Sequence, residues 1–98
     1  MQKYILILSD RSERMLHDWF ASCAEALRQV SSTSLAIQPH ILLLQSESSS
    51  SEILGALPTK LHPSAQAILL HLGSAGWWGT SNIERYGELA RFFEDTTP

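Results

Sequence analysis

Four histidines are the side chains that most directly suggest metal chemistry in this chain. They are spread over the sequence as His17, His40, His62 and His71. A zinc site usually brings ligands together at short spacing, such as two histidines one helical turn apart or a pair of nearby cysteines. The sequence contains neither arrangement. We therefore expect each histidine to have a structural role and predict no zinc site.

Nucleophilic catalysis is also not indicated by the residue pattern. The single cysteine, Cys23, lies on the apolar side of a predicted helix, where a buried thiol is expected rather than a reactive one. Serines are so numerous that a Ser-His-Asp triple could be assembled in many ways, and none is singled out. The sequence therefore favours a protein without a catalytic centre of its own.

The most unusual local motif is Gly76-Trp77-Trp78-Gly79. Adjacent tryptophans could stack on a nucleic-acid base or fill a pocket on a partner, because aromatic faces give a large contact area at small entropic cost. Alternatively, one tryptophan closes the end of the core and the other packs under the last helix. Successive side chains of an extended segment point in opposite directions, so Trp77 and Trp78 are candidate contact residues.

Length and charge limit the class of protein. Ninety-eight residues fit one domain, 1–98, and the net charge of −3 with only seven Lys and Arg disfavours nucleic acid as a partner. Arg11 and Arg14 form the only near pair of basic residues, although a dimer could concentrate such charges in one groove. No apolar run is long enough to cross a bilayer and the N-terminus does not resemble a signal peptide, so we expect a cytoplasmic protein.

The candidate residues are positioned by secondary-structure elements, and three segments of the sequence predict strands: 4–8, 40–44 and 67–72 are apolar at successive positions. Successive side chains of a strand point to opposite faces, so a run without polar alternation predicts a strand that is covered on both faces. A weaker strand is predicted at 34–38. In a chain of this length the second cover must come from the C-terminal segment or from another subunit.

Helices are predicted between these strands from capping signals and apolar spacing. The first has an apolar stripe from Met15 to Val30, with Asp10 as its expected N-cap and Glu13 as the capping-box partner. The serine-rich segment 46–52 is predicted to begin a second helix rather than to form a linker. A last helix is expected at about 81–94, where the apolar stripe includes Tyr86 and Phe93.

The resulting order predicts an α+β, ferredoxin-like βαββαβ fold. This fold has a four-stranded antiparallel sheet with two helices on one face, to which a C-terminal helix is added in this chain. The second face of the sheet is then covered by that helix, in cis or in trans, or by a second copy of the chain. A receiver-like doubly wound fold is the alternative, but it requires Gln45 at the phosphoacceptor position and more residues than the chain has.

Several of these segments resemble the ferredoxin-fold group that includes the small CRISPR-associated adaptation subunit and SinR-like small proteins. The similar segments are YILILSD at 4–10, the run ILLLQSESSSSEILGALPTKL and the run AILLHLGSAGWWG. In that group a first strand ends in Asp, and two copies of this Asp facing each other in a dimer have been suggested to hold a divalent metal. The resemblance implies this role for Asp10, with Mg²⁺ or Mn²⁺ as the ion.

Three hypotheses about function follow. The first is a small homodimeric, non-enzymatic protein-interaction module, for which the resemblance suggests phage defence, a mobile element or a toxin–antitoxin pair. Its candidate contact residues are Trp77, Trp78, Tyr86 and Phe93. The second is a metal-dependent nuclease with Asp10 paired across the dimer and with Arg11 and Arg14 steering phosphate. The third is a nucleic-acid-binding module that uses the Trp77-Trp78 turn.

Overall fold

The computed structural model describes residues 2–38, 40–73 and Phe92. In chain order, the regular elements are β1 (Gln2–Ser9), α1 (Glu13–Leu27), β2 (Thr33–Gln38), β3 (Ile41–Ser46), α2 (Ser50–Gly55) and β4 (Gln66–Leu72). A 3-10 turn at Thr59–Leu61 precedes β4. All four predicted strands and the first two predicted helices are present. The helix predicted at about 81–94 lies outside the described residues, apart from Phe92.

The four strands form one antiparallel sheet in the order β2-β3-β1-β4. The connection from β1 to β2 through α1 passes across β3, and the connection from β3 to β4 through α2 passes across β1. β2 and β4 are therefore the outer strands of this sheet. The chain has the α+β architecture that the alternation of strand and helix signals predicted.

The main core lies between the sheet and its two helices. Side chains from β1 and β3 meet side chains from α1 and α2, so both helices cover the same face of the sheet. The fully buried members from the two helices are Trp19, Cys23, Leu27 and Ile53. Burial of a large apolar side chain contributes roughly 1.5–3 kcal/mol, so this layer supplies much of the stability of the domain.

Helix α1 starts at a different residue from the one predicted. Ser12, not Asp10, is its N-cap: the backbone of Ser12 is extended and its side-chain oxygen accepts a hydrogen bond from the backbone N–H of Met15 at 3.2 Å. Asp10 lies two residues too early to reach the free N–H groups of the first turn, and the expected capping box with Glu13 does not form. At the other end, residues 28–30 close the helix with tighter hydrogen bonds that each span three residues.

The prediction that the serine-rich segment begins a helix is confirmed. The Ser49 side chain accepts from the Glu52 backbone N–H at 3.2 Å, and the Glu52 carboxylate accepts from the Ser49 backbone N–H at 3.0 Å. This reciprocal pair is a capping box. The backbone hydrogen bond from Ser49 also lowers the pKa of Glu52, because it stabilises the ionised carboxylate.

Trp19 connects α1 to the start of β4. Its indole Nε1 donates a hydrogen bond to the backbone oxygen of Gln66 at 3.1 Å, and its ring lies 5.1 Å from that of His62. His62 is in turn 3.0 Å from the hydroxyl of Ser22. These contacts fix the loop between the 3-10 turn and β4 against the helix, and this loop forms one wall of the site described below.

Candidate functional site

The face of the sheet opposite α1 and α2, which we call the open face, is mostly apolar. The pairing of residues between neighbouring strands shows which side chains lie on this face. Ile7 pairs with Ile41 on one side and with Ile68 on the other, and Ile5 pairs with Leu43 and Leu70 in the same way. Directly paired residues of antiparallel strands share a face. The first set, the isoleucine row, therefore runs across three strands near the C-terminal end of β1.

Phe92 covers the other part of the open face. It is 5% exposed and packs in one cluster with Leu35 and Leu43, with Ile5 and Leu72 at the margin. The Lys3 ammonium donates a hydrogen bond to the backbone oxygen of Phe92 at 2.6 Å and lies 5.1 Å from the centre of its ring. Lys3 itself is buried, so a charged group anchors this cover to the sheet.

The isoleucine row and the neighbouring part of β4 remain open to solvent. Ile68 is 57% exposed and Leu70 is 48% exposed, while Ile37, beside the irregularity in β2, is 38% exposed. The unbroken apolar run of β4 predicted a strand covered on both faces. Ala67 and Leu69 are partly buried toward the helices, but Ile68 and Leu70 on the opposite face are not. Ile68 and Leu70 therefore leave apolar surface on the open face exposed to solvent.

A second feature, the Asp10 cleft, lies at the same end of the sheet. It is a cavity of about 560 Å³ lined by Ser9, Asp10, Arg11, Pro63, Ser64, Ala65 and Gln66. The lining comes from the end of β1 and from the loop that enters β4. Ser9 and Gln66 are paired in the sheet, two residues beyond the pair of Ile7 and Ile68. The cleft is therefore adjacent to the isoleucine row.

Asp10 makes its contacts within this cleft. Its Oδ1 accepts hydrogen bonds from the Ser64 hydroxyl and from the Arg11 backbone N–H, both at 2.7 Å. Its Oδ2 is shielded from solvent and has no hydrogen-bond partner among the described residues. The carboxyl group therefore joins β1 to the loop before β4 and keeps one oxygen whose capacity to accept a hydrogen bond or bind a cation is unused by the described residues.

These contacts lower the pKa of Asp10 below its ordinary value of 3.8. The hydrogen bond from Ser64 is the main cause, followed by the backbone N–H of Arg11 and the positive charges of His62 and Arg11, while burial acts in the opposite direction. A lowered pKa stabilises the fold above the ordinary value, and this contribution is lost as the pH falls through the lowered value. At neutral pH the Asp10 carboxylate is therefore ionised.

The predicted site residues are only partly brought together. Arg11 is exposed and lines the cleft beside Asp10, whereas Arg14 is exposed on α1 and does not line it. Trp77, Trp78, Tyr86 and Phe93 lie outside the described residues. Within residues 2–38 and 40–73, together with Phe92, no cluster of three or more His, Cys, Asp and Glu is arranged to hold a metal ion.

The remaining titratable candidates have structural surroundings. Cys23 is fully buried, and burial raises the pKa of its thiol to about 12, which keeps it protonated. Tyr4 packs against His71 with ring centres 5.3 Å apart, and its hydroxyl donates to the backbone oxygen of Ser48 at 2.9 Å. His62 has the partners already described on α1.

Sequence reasoning did not identify Ser64, Lys3 or Phe92. Ser64 lies 54 residues from Asp10, and Lys3 lies 89 residues from Phe92, so no local pattern connects either pair. Phe92, the described residue near the C-terminus, is buried, and the predicted apolar stripe did not include it. A charged residue near the start of a strand predicted to be covered on both faces was the available signal for Lys3.

The helices of the described residues include none that is both long and apolar enough to span a bilayer. In comparisons with known proteins, this chain matches no family model, no curated protein and no solved structure.

Proposed function

We propose that this chain is a small homodimeric protein-interaction module with a ferredoxin-like fold and without catalytic activity. The strand order β2-β3-β1-β4 and the two helix crossovers support the fold, because they are the arrangement expected for βαββαβ. The resemblance in sequence suggests phage defence, a mobile element or a toxin–antitoxin pair as the setting. The second copy of the chain is the first partner we propose.

The exposed part of the open face is the observation that carries this proposal. Ile68 and Leu70 lie side by side on an outer strand and leave about half of their surfaces in water. Contiguous exposed apolar side chains on a small domain are typical of interaction surfaces, since their burial against a partner is favourable. β4 carries no charged side chain that would oppose such a contact.

We expect light scattering coupled to size exclusion to give twice the chain mass for the wild type. The double variant Ile68→Lys, Leu70→Lys is expected to elute as a monomer, because burial of two ammonium groups would oppose association. Its circular dichroism spectrum should match that of the wild type, because both positions lie outside the buried core. A wild type that is monomeric at all accessible concentrations would contradict the proposal.

Leu54→Lys is the matched control for this experiment. Leu54 is 40% exposed, similar to Leu70, but lies on α2 at the helix-covered side. This variant should remain dimeric. Dissociation by Leu54→Lys as well would show that added charge, rather than the open face, controls the oligomeric state.

A metal-dependent nuclease is the second candidate, and the Asp10 cleft favours it. Asp10 does not cap α1, and within the described part of the chain its Oδ2 has no hydrogen-bond partner. Mg²⁺ or Mn²⁺ is commonly held by one or two carboxylates with water and phosphate oxygens, and Arg11 lies where it could attract phosphate. In this alternative a second subunit would supply the other Asp10.

The nuclease alternative predicts that Asp10→Asn abolishes cleavage of short DNA or RNA in Mg²⁺ or Mn²⁺, whereas Ser64→Ala retains it. Ser64→Ala removes the hydrogen bond from the Ser64 hydroxyl but keeps the carboxylate, whereas Asp10→Asn keeps an oxygen that can accept this hydrogen bond but loses the charge that a cation requires. Cleavage should be followed on labelled oligonucleotides with chelator as a control. Equal activity of wild type and Asp10→Asn, or no cleavage by either, would contradict this alternative.

A further inference from the structure

We infer that two copies of this chain associate edge to edge through β4, in antiparallel register about Leu69, to form a continuous eight-stranded sheet. This inference rests on the homodimer proposed above and specifies how its two subunits meet. Three features of β4 support it: the lack of a charge, a proline or a bulge within Gln66–Leu72, the apolar character of its exposed residues, and the register that two-fold symmetry allows.

β4 lacks the devices by which outer strands usually avoid pairing. Such strands are commonly interrupted by a bulge, shortened, or marked by charged residues or proline. β4 runs for seven residues, Gln66–Leu72, without a charged residue or proline, and its pairing with β1 continues without a shift in register. β2, the other outer strand, has an irregularity between Ala36 and Gln38. The described sheet therefore has one protected edge and one unprotected edge.

Symmetry selects one register among those available to two β4 strands. Directly opposed residues in an antiparallel pair share a face, so the two open faces stay on the same side only when the symmetry axis passes through a residue. An axis at Leu69 pairs all seven residues, with Gln66 opposite Leu72 and Ile68 opposite Leu70 of the other copy. A symmetry axis at Ile68 or Leu70 would leave part of the seven-residue strand unpaired. An axis midway between two residues would place a side chain of the open face opposite one of the helix-covered face, which antiparallel pairing does not allow.

This register brings the exposed apolar residues of the two copies into contact. Ile68 and Leu70, which are about half exposed in the single chain, would meet Leu70 and Ile68 of the second copy on the open face. Apolar cross-strand pairs of this kind each contribute roughly 0.2–1 kcal/mol in addition to the hydrogen bonds of the new ladder. The isoleucine row of each copy then continues toward the other copy.

The same register separates the two Asp10 clefts. Gln66 opens the cleft in each copy and would lie opposite Leu72 of the other, so the clefts are six strand residues apart, or roughly 20 Å. Two carboxylates at that distance cannot share one metal ion, whose oxygen ligands lie at about 2.0–2.6 Å. Edge pairing through β4 and a metal site shared between two Asp10 residues are therefore mutually exclusive arrangements.

Engineered cysteines test the register. In the mixture of Ile68→Cys and Leu70→Cys chains, the two cysteines would be directly opposed, with Cα atoms about 4.5–5.5 Å apart and within the range of a disulfide. In either variant alone, the two identical cysteines would be offset by two residues, at about 8 Å, which is beyond that range. Native Cys23 is buried and its thiol is protonated, so it should not interfere.

After mild oxidation we expect a mixed disulfide dimer from the mixture and little dimer from either variant alone, measured by non-reducing electrophoresis and intact mass. The matched control is Ile37→Cys, an exposed position on β2, mixed with either variant. Circular dichroism shows whether each variant is folded. If the mixed cysteine variants form no disulfide although the wild type is dimeric, the proposed register is wrong and the homodimer proposal is retained. If the wild type is monomeric, both proposals are wrong.

Discussion

Replacing Trp19 with alanine is expected to lower the free energy of unfolding by about 3–5 kcal/mol. Trp19 is 1% exposed, is among the largest side chains of the core, and donates a hydrogen bond to the backbone of Gln66. Its removal leaves a cavity between α1 and the sheet and an unpaired carbonyl at the start of β4. Because small domains have only about 5–15 kcal/mol of stability, this single change should bring the fold close to its limit.

Urea titration followed by circular dichroism measures this loss. Trp19→Phe is the control, since it keeps an aromatic ring in the core but cannot donate to Gln66, and we expect a smaller loss of about 1–3 kcal/mol. A loss below about 1 kcal/mol for Trp19→Ala would contradict the prediction. It would mean that the contact between α1 and β4 is not a main support of the domain.

Replacing Phe92 with alanine is expected to have the second large effect, a loss of about 3–5 kcal/mol. Phe92 covers Leu35 and Leu43 on the open face, in a cluster separate from the main core. The variant should also bind a hydrophobic dye more strongly, because the side chains beneath Phe92 become exposed. Both effects can be measured on the same sample by denaturant titration and dye fluorescence.

Lys3→Met separates the apolar contact from the polar anchor. Methionine keeps most of the unbranched stem of Lys3 but cannot donate to the backbone oxygen of Phe92, a hydrogen bond to a charged donor worth about 1.5–3 kcal/mol. We expect a loss in that range without a large increase in dye binding. If Phe92→Ala were nearly neutral while Lys3→Met were severe, the cover would depend on the charge rather than on the ring.

The fold was largely predictable because its elements depend on local signals. Runs of consecutive apolar residues identified β1, β3 and β4, and apolar residues at three- and four-residue spacing identified α1. The Ser49 and Glu52 capping box was correctly predicted because both partners lie within one turn. Where a signal is contained in a few neighbouring residues, the sequence carries the physical information that decides the structure.

The candidate site was less predictable because its contacts connect distant parts of the chain. Asp10 was interpreted as a cap since Asp and Ser are both good N-caps, and two such residues precede α1. The choice depended on where the first helical turn begins, which the periodicity does not fix to within two residues. The contact of Asp10 with Ser64 exists only after β1 and β4 have paired.

The unequal protection of the two outer strands has a consequence for how far assembly can proceed. A chain with two bare edges could add copies without end, as in a growing fibril. In this chain the irregularity in β2 leaves β4 as the favourable edge of the described sheet, and a two-fold pair uses this edge in both members. Association by this route stops at two chains, so an adhesive strand need not make the protein prone to polymerise.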